Sequence, residues 1–296
     1  MELLRDQPRP ILIQGEAAMK EMDALLAGAF PVPPGGSFFD DFPVWLEKHS
    51  ADSVRVGYRA EQELVACAAL RIAHVRNGAA IDRIGIIGAV ATAESARGQG
   101  LASALVEDLV ERARKVGARA VVLFSGDTAF YERLGFRIAG QQARVPLAAL
   151  GLPDAPAGSP IGHGWVPGLM PLLKARDTGL QHQDKDQAWL SAHRNTAWSW
   201  IGSPLSPRAW VAVGRGIDLA GMVHEWGGEP DALRQLLGRI AVIGPIFELL
   251  GHPSHLERMG FARASELQPD PLCLLRTLDP AFVWETDTWL WGLDGA

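Results

Sequence analysis

The sequence predicts a mixed α/β protein made of two related halves, and three observations carry that reading. First, apolar β-rich runs at 53–58, 64–72 and 81–92 are followed by a glycine-rich loop, an amphipathic helix at 101–116, a buried strand AVVLF at 120–124 and a short helix at 128–136. Second, the composition turns rich in Gly, Pro and Ala between about 148 and 170, as a linker does. Eight of the ten tryptophans lie beyond it, with Trp165 inside it and Trp45 before it. Third, the second half echoes the first: SGDTAFYERLGF at 125–136 matches LGHPSHLERMGF at 250–261, and VRVGYR at 54–59 resembles VAVGRG at 211–216. With 296 residues, the division expected is a first domain at 1–150, a linker at 151–169 and a second domain at 170–296.

Each element has its own signal. Residues 16–30 place Met19, Met22, Leu25, Leu26 and Phe30 near helical spacing, and PVPPGGS at 31–37 breaks that helix. The polar turn RAEQE separates the first two strands. In 101–116, Leu101, Leu105, Leu109 and Ala113 form one stripe, with Glu107, Glu111, Arg112 and Arg114 outside it and Gly117 placed to end the helix. In the second half, GMVHEWGG at 221–228 reads as a strand before the helix PDALRQLLGRI. FVWETDTWLWGLDGA, from Phe282, alternates like a strand closing the second sheet. Trp198, Trp200 and Trp210 read as core.

Composition excludes several classes. Apolar residues make up 48%, enough for a large core and too many for global disorder. No apolar run approaches the roughly 18 residues of a membrane span, and MELLRDQPRP does not read as a secretory leader. Cys67 and Cys273 are the only cysteines, which points to a reducing, cytoplasmic setting without a disulfide framework or cysteine-held metal. Net charge is −6, and no Lys/Arg cluster is long enough to track a nucleic-acid backbone. His252 and His255 lack an evident third ligand, so no metal is expected there.

The chemistry centres on a strand, then Arg97, Gly98, Gln99, Gly100, Leu101 and Ala102, then a helix. Glycines let backbone approach a ligand closely. The first helical turn leaves N–H groups without intrahelical partners, and the helix dipole adds positive charge there, so the loop suits a phosphate or pyrophosphate. GQGLAS also fits a dinucleotide fingerprint loosely. That fold needs its first glycine directly after the strand and an acid at the end of the next one. Here the strand ends near Thr92 and the next ends in Ser125. A plain glycine turn between strand and helix is the remaining alternative.

GAVATAESARGQGLASALV resembles the acyl-CoA-binding motif of the GNAT superfamily of N-acetyltransferases, Arg/Gln-x-x-Gly-x-Gly/Ala, and FYERLGF resembles the helix motif that follows the fifth strand of that fold. The resemblance covers about residues 10–145, and the GDTAFYERLGF phrase is similar to tandem members. It implies a duplicated GNAT fold with a degenerate second copy, acetyl-CoA as co-substrate, and a small-molecule or peptide amine as acceptor. Val90, Ala91 and Thr92 would offer backbone groups to the pantetheine arm and acetyl carbonyl. Arg97, Gly98, Gln99, Gly100, Leu101, Ala102 and Ser103 would cradle the pyrophosphate. Tyr131 matches the tyrosine that protonates the departing thiolate; otherwise it is an aromatic packed on the sheet.

Two features depart from the commonest pattern. Residues 83–90, RIGIIGAV, contain no carboxylate to act as general base. Asp82, Glu94, His74 and Asp127 are the nearby candidates, with water or a second-half group as alternatives. The second copy has Leu256 in place of Tyr131 and no Arg-Gly-Gln-Gly loop, so it should bind no CoA. Its strand sets Glu225 opposite His224 and Trp226, either as a wet edge or as part of the acceptor pocket, which makes Glu225 the acceptor candidate. The competing function is a catalytically silent acyl-CoA-binding module whose second half docks a partner.

Overall fold

In the computed structural model, residues 9–49, 52–153, 160–243 and 245–294 are described. The first half runs β1 (Ile11–Leu12), α1 (Glu16–Ala29), α2 (Phe38–Asp41), β2 (Ser53–Ala60), β3 (Glu63–Asn77), β4 (Ala80–Thr92), α3 (Leu101–Lys115), β5 (Ala120–Leu123), α4 (Thr128–Glu132) and β6 (Arg137–Pro146). The second runs β7 (Ile161–His163), α5 (Leu169–Lys174), β8 (Gly179–Leu180), α6 (Gln187–Leu190), β9 (Ala197–Ser203), β10 (Ser206–Val213), β11 (Met222–Gly228), α7 (Pro230–Ile243), β12 (Glu248–Gly251), α8 (Pro253–Arg258) and β13 (Asp270–Thr277). Among these residues no helix is long and apolar enough to cross a membrane.

Strand alternation explains the layering. Cys67 and Ala69 of β3 point into the core that holds Met19, Met22 and Leu26 of α1. Ala66, Ala68 and Leu70 point the other way, against Leu105 and Leu109 of α3. The two helices therefore cover opposite faces of β3 and β4. Leu109 is fully buried, so Leu109→Ala would cost on the order of 2–5 kcal/mol. Arg112, Arg114 and Lys115 sit in the last turn of α3, where the helix dipole favours cations.

One continuous sheet passes through both halves in the order β1-β2-β3-β4-β5-β13-β6-β12-β11-β10-β9-β7, with β8 beside β3. The halves exchange strands at its centre. β13 lies between β5 and β6, pairing Leu274 with Leu123 and with Ile138. β6 in turn lies between β13 and β12, pairing Val145 with Leu249. Neither half is closed by its own strands alone, a relation that a cut at 150 or 170 does not express.

Two sequence readings change here. The α4/α8 echo keeps its place, since each helix follows the strand (β5 or β12) that is parallel to its inner neighbour. The echo of 54–59 at 211–216 does not. Residues 54–59 lie in β2, three positions from β5 along the sheet, while 211–213 end β10, two positions from β12. The positional partner of β2 is β9. The segment after Phe282 is likewise no strand: through Asp294 it forms turns and irregular backbone. Several of its amides bond to side chains, among them Trp289 N to Thr178 Oγ1 (3.1 Å), Trp291 N to Asp294 Oδ2 (3.1 Å) and Leu293 N to Glu225 Oε1 (2.8 Å). Trp289, Leu290 and Trp291 are nevertheless buried, as are Trp198, Trp200 and Trp210.

Candidate active site

The site begins where two parallel strands part. β4 pairs with β5 at Ile84–Ala120, Gly85–Val121 and Ile86–Val122, and no further pairing between them is found among the described residues. Past Ile86 the strands splay. A bulge sits at this point: Cys67 faces Ala91 and Ala69 faces Gly88, so Ala68 opposes both Ala89 and Val90. Ala89 takes φ 52°, a left-handed conformation costly for a residue with a Cβ. The Cys67 thiol, its pKa pushed up to about 12 by burial, donates to the Ala89 carbonyl at 3.5 Å.

The second wall is the loop into α3. Gly98 (φ 77°) and Gly100 (φ 78°) adopt left-handed backbone, and Gly100 caps α3 without any side-chain hydrogen bond to the first turn. The helix thus presents bare N–H groups and its positive dipole end to the cleft. The third wall is α4. Asp127 Oδ1 accepts from Phe130 N at 3.1 Å and starts the helix, which turns Tyr131 inward. Tyr131 is 7% exposed, and burial, aided by the Asp127 charge, pushes its phenol up to about 12.

These walls enclose one cleft of about 630 Å³. Every predicted cofactor residue except Gln99 lines it, together with Tyr131. Of the candidate bases only Asp127 does. Asp82 is buried elsewhere, accepting from Arg119 Nη1 (2.6 Å) and Asn77 Nδ2 (2.9 Å). His74 borders a separate cavity, and Glu94 is exposed outside the cleft. Arg97 and Arg133 are the cations of the lining.

Glu225 must be corrected. It is 1% exposed, paired with Arg176 and accepting from Leu293 N, so no amine reaches it and it lies outside the cleft. Alternation correctly separated it from His224, but residues 282–294 cover its face. His224 is buried and neutral, its pKa lowered to about 3 by burial and by Arg215. His252 is held by Ser254 Oγ (2.8 Å) and the Thr286 carbonyl (2.9 Å).

Sequence reasoning missed the fourth wall. Phe30, Phe38 and Phe42 line the cleft from the α1 side. A capping box sets them: Ser37 Oγ accepts from Phe39 N (3.0 Å) and Asp40 Oδ2 accepts from Ser37 N (3.1 Å). The signal was present as Ser-Phe-Phe-Asp directly after the glycine break. Asp41 next to Phe42 is 3% exposed and accepts from Asn195 Nδ2 (2.8 Å) and Gly216 N (2.9 Å). The second half therefore braces this wall without lining the cleft, whose lining runs from Ala29 to Arg133.

In the second half the same strand positions carry no such loop. Residues 93–100 connect β4 to α3, whereas Glu229 alone connects β11 to α7. Leu256, in the place of Tyr131, is fully buried.

A splayed parallel pair, a bulged strand, a glycine-started helix and an inward tyrosine thus meet in one cleft. Residues 19–136 match the acetyltransferase (GNAT) family, and the mixed α/β fold of the chain is similar to solved GNAT structures of the tandem type. Similar solved structures include a conserved protein from Enterococcus faecalis V583 (17% identity, TM-score 0.65, covering 92% of this chain and 72% of that one). Others are a GCN5-related N-acetyltransferase from Kribbella flavida (18%, 0.60, 91% and 72%) and Eis1 from Mycobacterium abscessus (15%, 0.57, 91% and 73%). At these identities the likeness is one of fold. No curated protein matches the chain.

Proposed function

We propose that this protein transfers the acetyl group of acetyl-CoA to a primary amine. The observation that carries the reading is the convergence of the splayed end of β4, the bare N-terminus of α3 and Tyr131 in one cleft. The co-substrate supplies a thioester carbonyl and a thiolate leaving group. Arg97, Gly98 and Gly100 to Ser103 hold its pyrophosphate, with main-chain N–H groups as donors and Arg97 as a fixed cation. Val90, Ala91 and Thr92 present backbone to the pantetheine arm and acetyl carbonyl.

An amine nitrogen forms the new N–C bond as the C–S bond breaks. Tyr131 gives its proton to the departing sulfur and is reprotonated from water. A phenol near 12 would be a weak acid toward an ordinary thiolate near 8.5. Tyr131 nevertheless holds its proton at neutral pH and can donate it as negative charge develops on the sulfur, and leaving water raises the pKa of a thiol as it raises that of a phenol. The proton lost by the amine passes to water or to Asp127, the one carboxylate in the lining. Much of the rate comes from holding both reactants in line, with effective molarities of about 10⁵ M or more.

Calorimetric titration of the full chain with acetyl-CoA should show saturable one-site binding, and Arg97→Glu should weaken it about tenfold or more. Absence of saturable binding would sink the proposal. Binding without thiol release from any amine would favour the silent acyl-CoA-binding module instead.

A further inference from the structure

We propose that the acceptor is a monoamine carried on an aromatic or flat apolar body, seated against Phe30, Phe38 and Phe42, and that polycationic amines are poor substrates. This rests on the acyltransferase reading above. The argument starts from the faces of the sheet. The phosphate loop belongs to α3 on one face, and the three phenylalanines belong to the α1–α2 segment on the other. A donor entering from the α3 side leaves the α1–α2 side as the approach for an acceptor, because in-line attack needs the two reactants to meet at the gap between β4 and β5.

That approach is apolar. Phe38 lies 5.1 Å from Phe30 and stacks on Phe42 at 4.5 Å between centroids. Phe30 and Phe42 keep part of their surface exposed at the cleft, while Phe38 is buried behind them. The Arg215 guanidinium sits 4.6 Å over Phe42, which fixes the ring from the second half. Such a wall rewards a ligand that brings its own ring or flat hydrocarbon surface.

The charges exclude the alternative. The charged residues of the lining are Arg97, Arg133 and Asp127. Arg97 is engaged by the donor's pyrophosphate, Arg133 repels ammonium groups, and one oxygen of Asp127 already accepts from Phe130 N. A polyamine or an aminoglycoside carries several ammonium groups that would each need a carboxylate partner, and this cleft offers one. A single amine, attacking in its neutral form, needs none beyond that.

The test uses the full chain, acetyl-CoA and thiol release. 2-Phenylethylamine should have a kcat/KM at least tenfold above those of spermidine and kanamycin. Phe42→Ala should reduce the value for 2-phenylethylamine about tenfold, chiefly through KM, while calorimetric CoA affinity stays unchanged. Phe30→Ala, at the end of α1, serves as the second variant should Phe42→Ala fail to fold. A preference for spermidine or kanamycin, no turnover of 2-phenylethylamine, or unaltered kinetics in the folded wall variants would overturn the inference. In each of these cases intact CoA binding would leave the acyltransferase reading standing. Loss of CoA binding in the wild-type chain would bring down both.

Discussion

Asp41 Oδ1 accepts a hydrogen bond from the amide nitrogen of Gly216 at 2.9 Å, across the boundary between the two halves. Together with the bond from Asn195 it ties the aromatic wall of the cleft to the second half. Where the aromatic wall seats the acceptor as proposed, this bond gives the second half a part in its recognition although none of its described residues lines the site.

Asp41→Ala should therefore raise the acceptor KM severalfold and leave acetyl-CoA affinity within twofold of wild type. It leaves the Gly216 amide and the Asn195 side chain without their partner, so a stability loss of about 1–3 kcal/mol is expected in urea titration. If the acceptor KM is unchanged in a folded Asp41→Ala protein, the bond is structural only.

Tyr131→Phe should lower kcat about a hundredfold while CoA affinity stays near wild type. The phenol is held at about 12, so it keeps its proton, and its acid role, at any pH below that. The pH–rate profile should rise as the amine loses its proton and show no falling limb up to pH 10. A fall centred near pH 9 would rule out Tyr131 as the group that donates.

A chain cut after residue 150 should not form a stable sheet. β13, which pairs with both β5 and β6, would be missing. Circular dichroism and gel filtration should show an unfolded or associating fragment. A monomeric 1–150 fragment binding acetyl-CoA as the full chain does would contradict this.

Acid should unfold the protein partly through His224. Its folded pKa, about 3, lies below the unfolded value near 6.5, so the unfolded state binds more protons between these limits. Stability is then lost as pH falls through that window, by up to about 1.4 kcal/mol per unit from this residue. Denaturant midpoints measured from pH 7 to 4 should fall, with a shallower slope for His224→Gln. An unchanged slope would assign the acid sensitivity to other groups.

Much of the first half was legible because its signals are local. Glycine at 98 and 100, the stripe Leu105–Leu109–Ala113 and the placing of Tyr131 four residues after Asp127 each act over a turn or two of chain. The strand exchange was not legible, because the apolar run 272–275 is compatible with a buried strand without naming its neighbours. Glu225 shows the same limit. Alternation assigns it a face, but only the path of residues 282–294 decides whether that face is wet. The phenylalanine wall carried a capping-box signal, yet its meaning depends on α1 returning Phe30 to Phe38.

The exchanged strand also bears on how the molecule is made. Leu123 and Leu274 are bonded neighbours, yet residues 124–273 are synthesised between them. At roughly 5–20 residues per second the nascent first half waits on the order of ten seconds with the β5 edge unpaired. An open edge of this kind is a template for association with other chains. The first half, whose glycine-loop and tyrosine motifs are complete by residue 136, thus depends for its closure on the last strand to leave the ribosome tunnel among those described here.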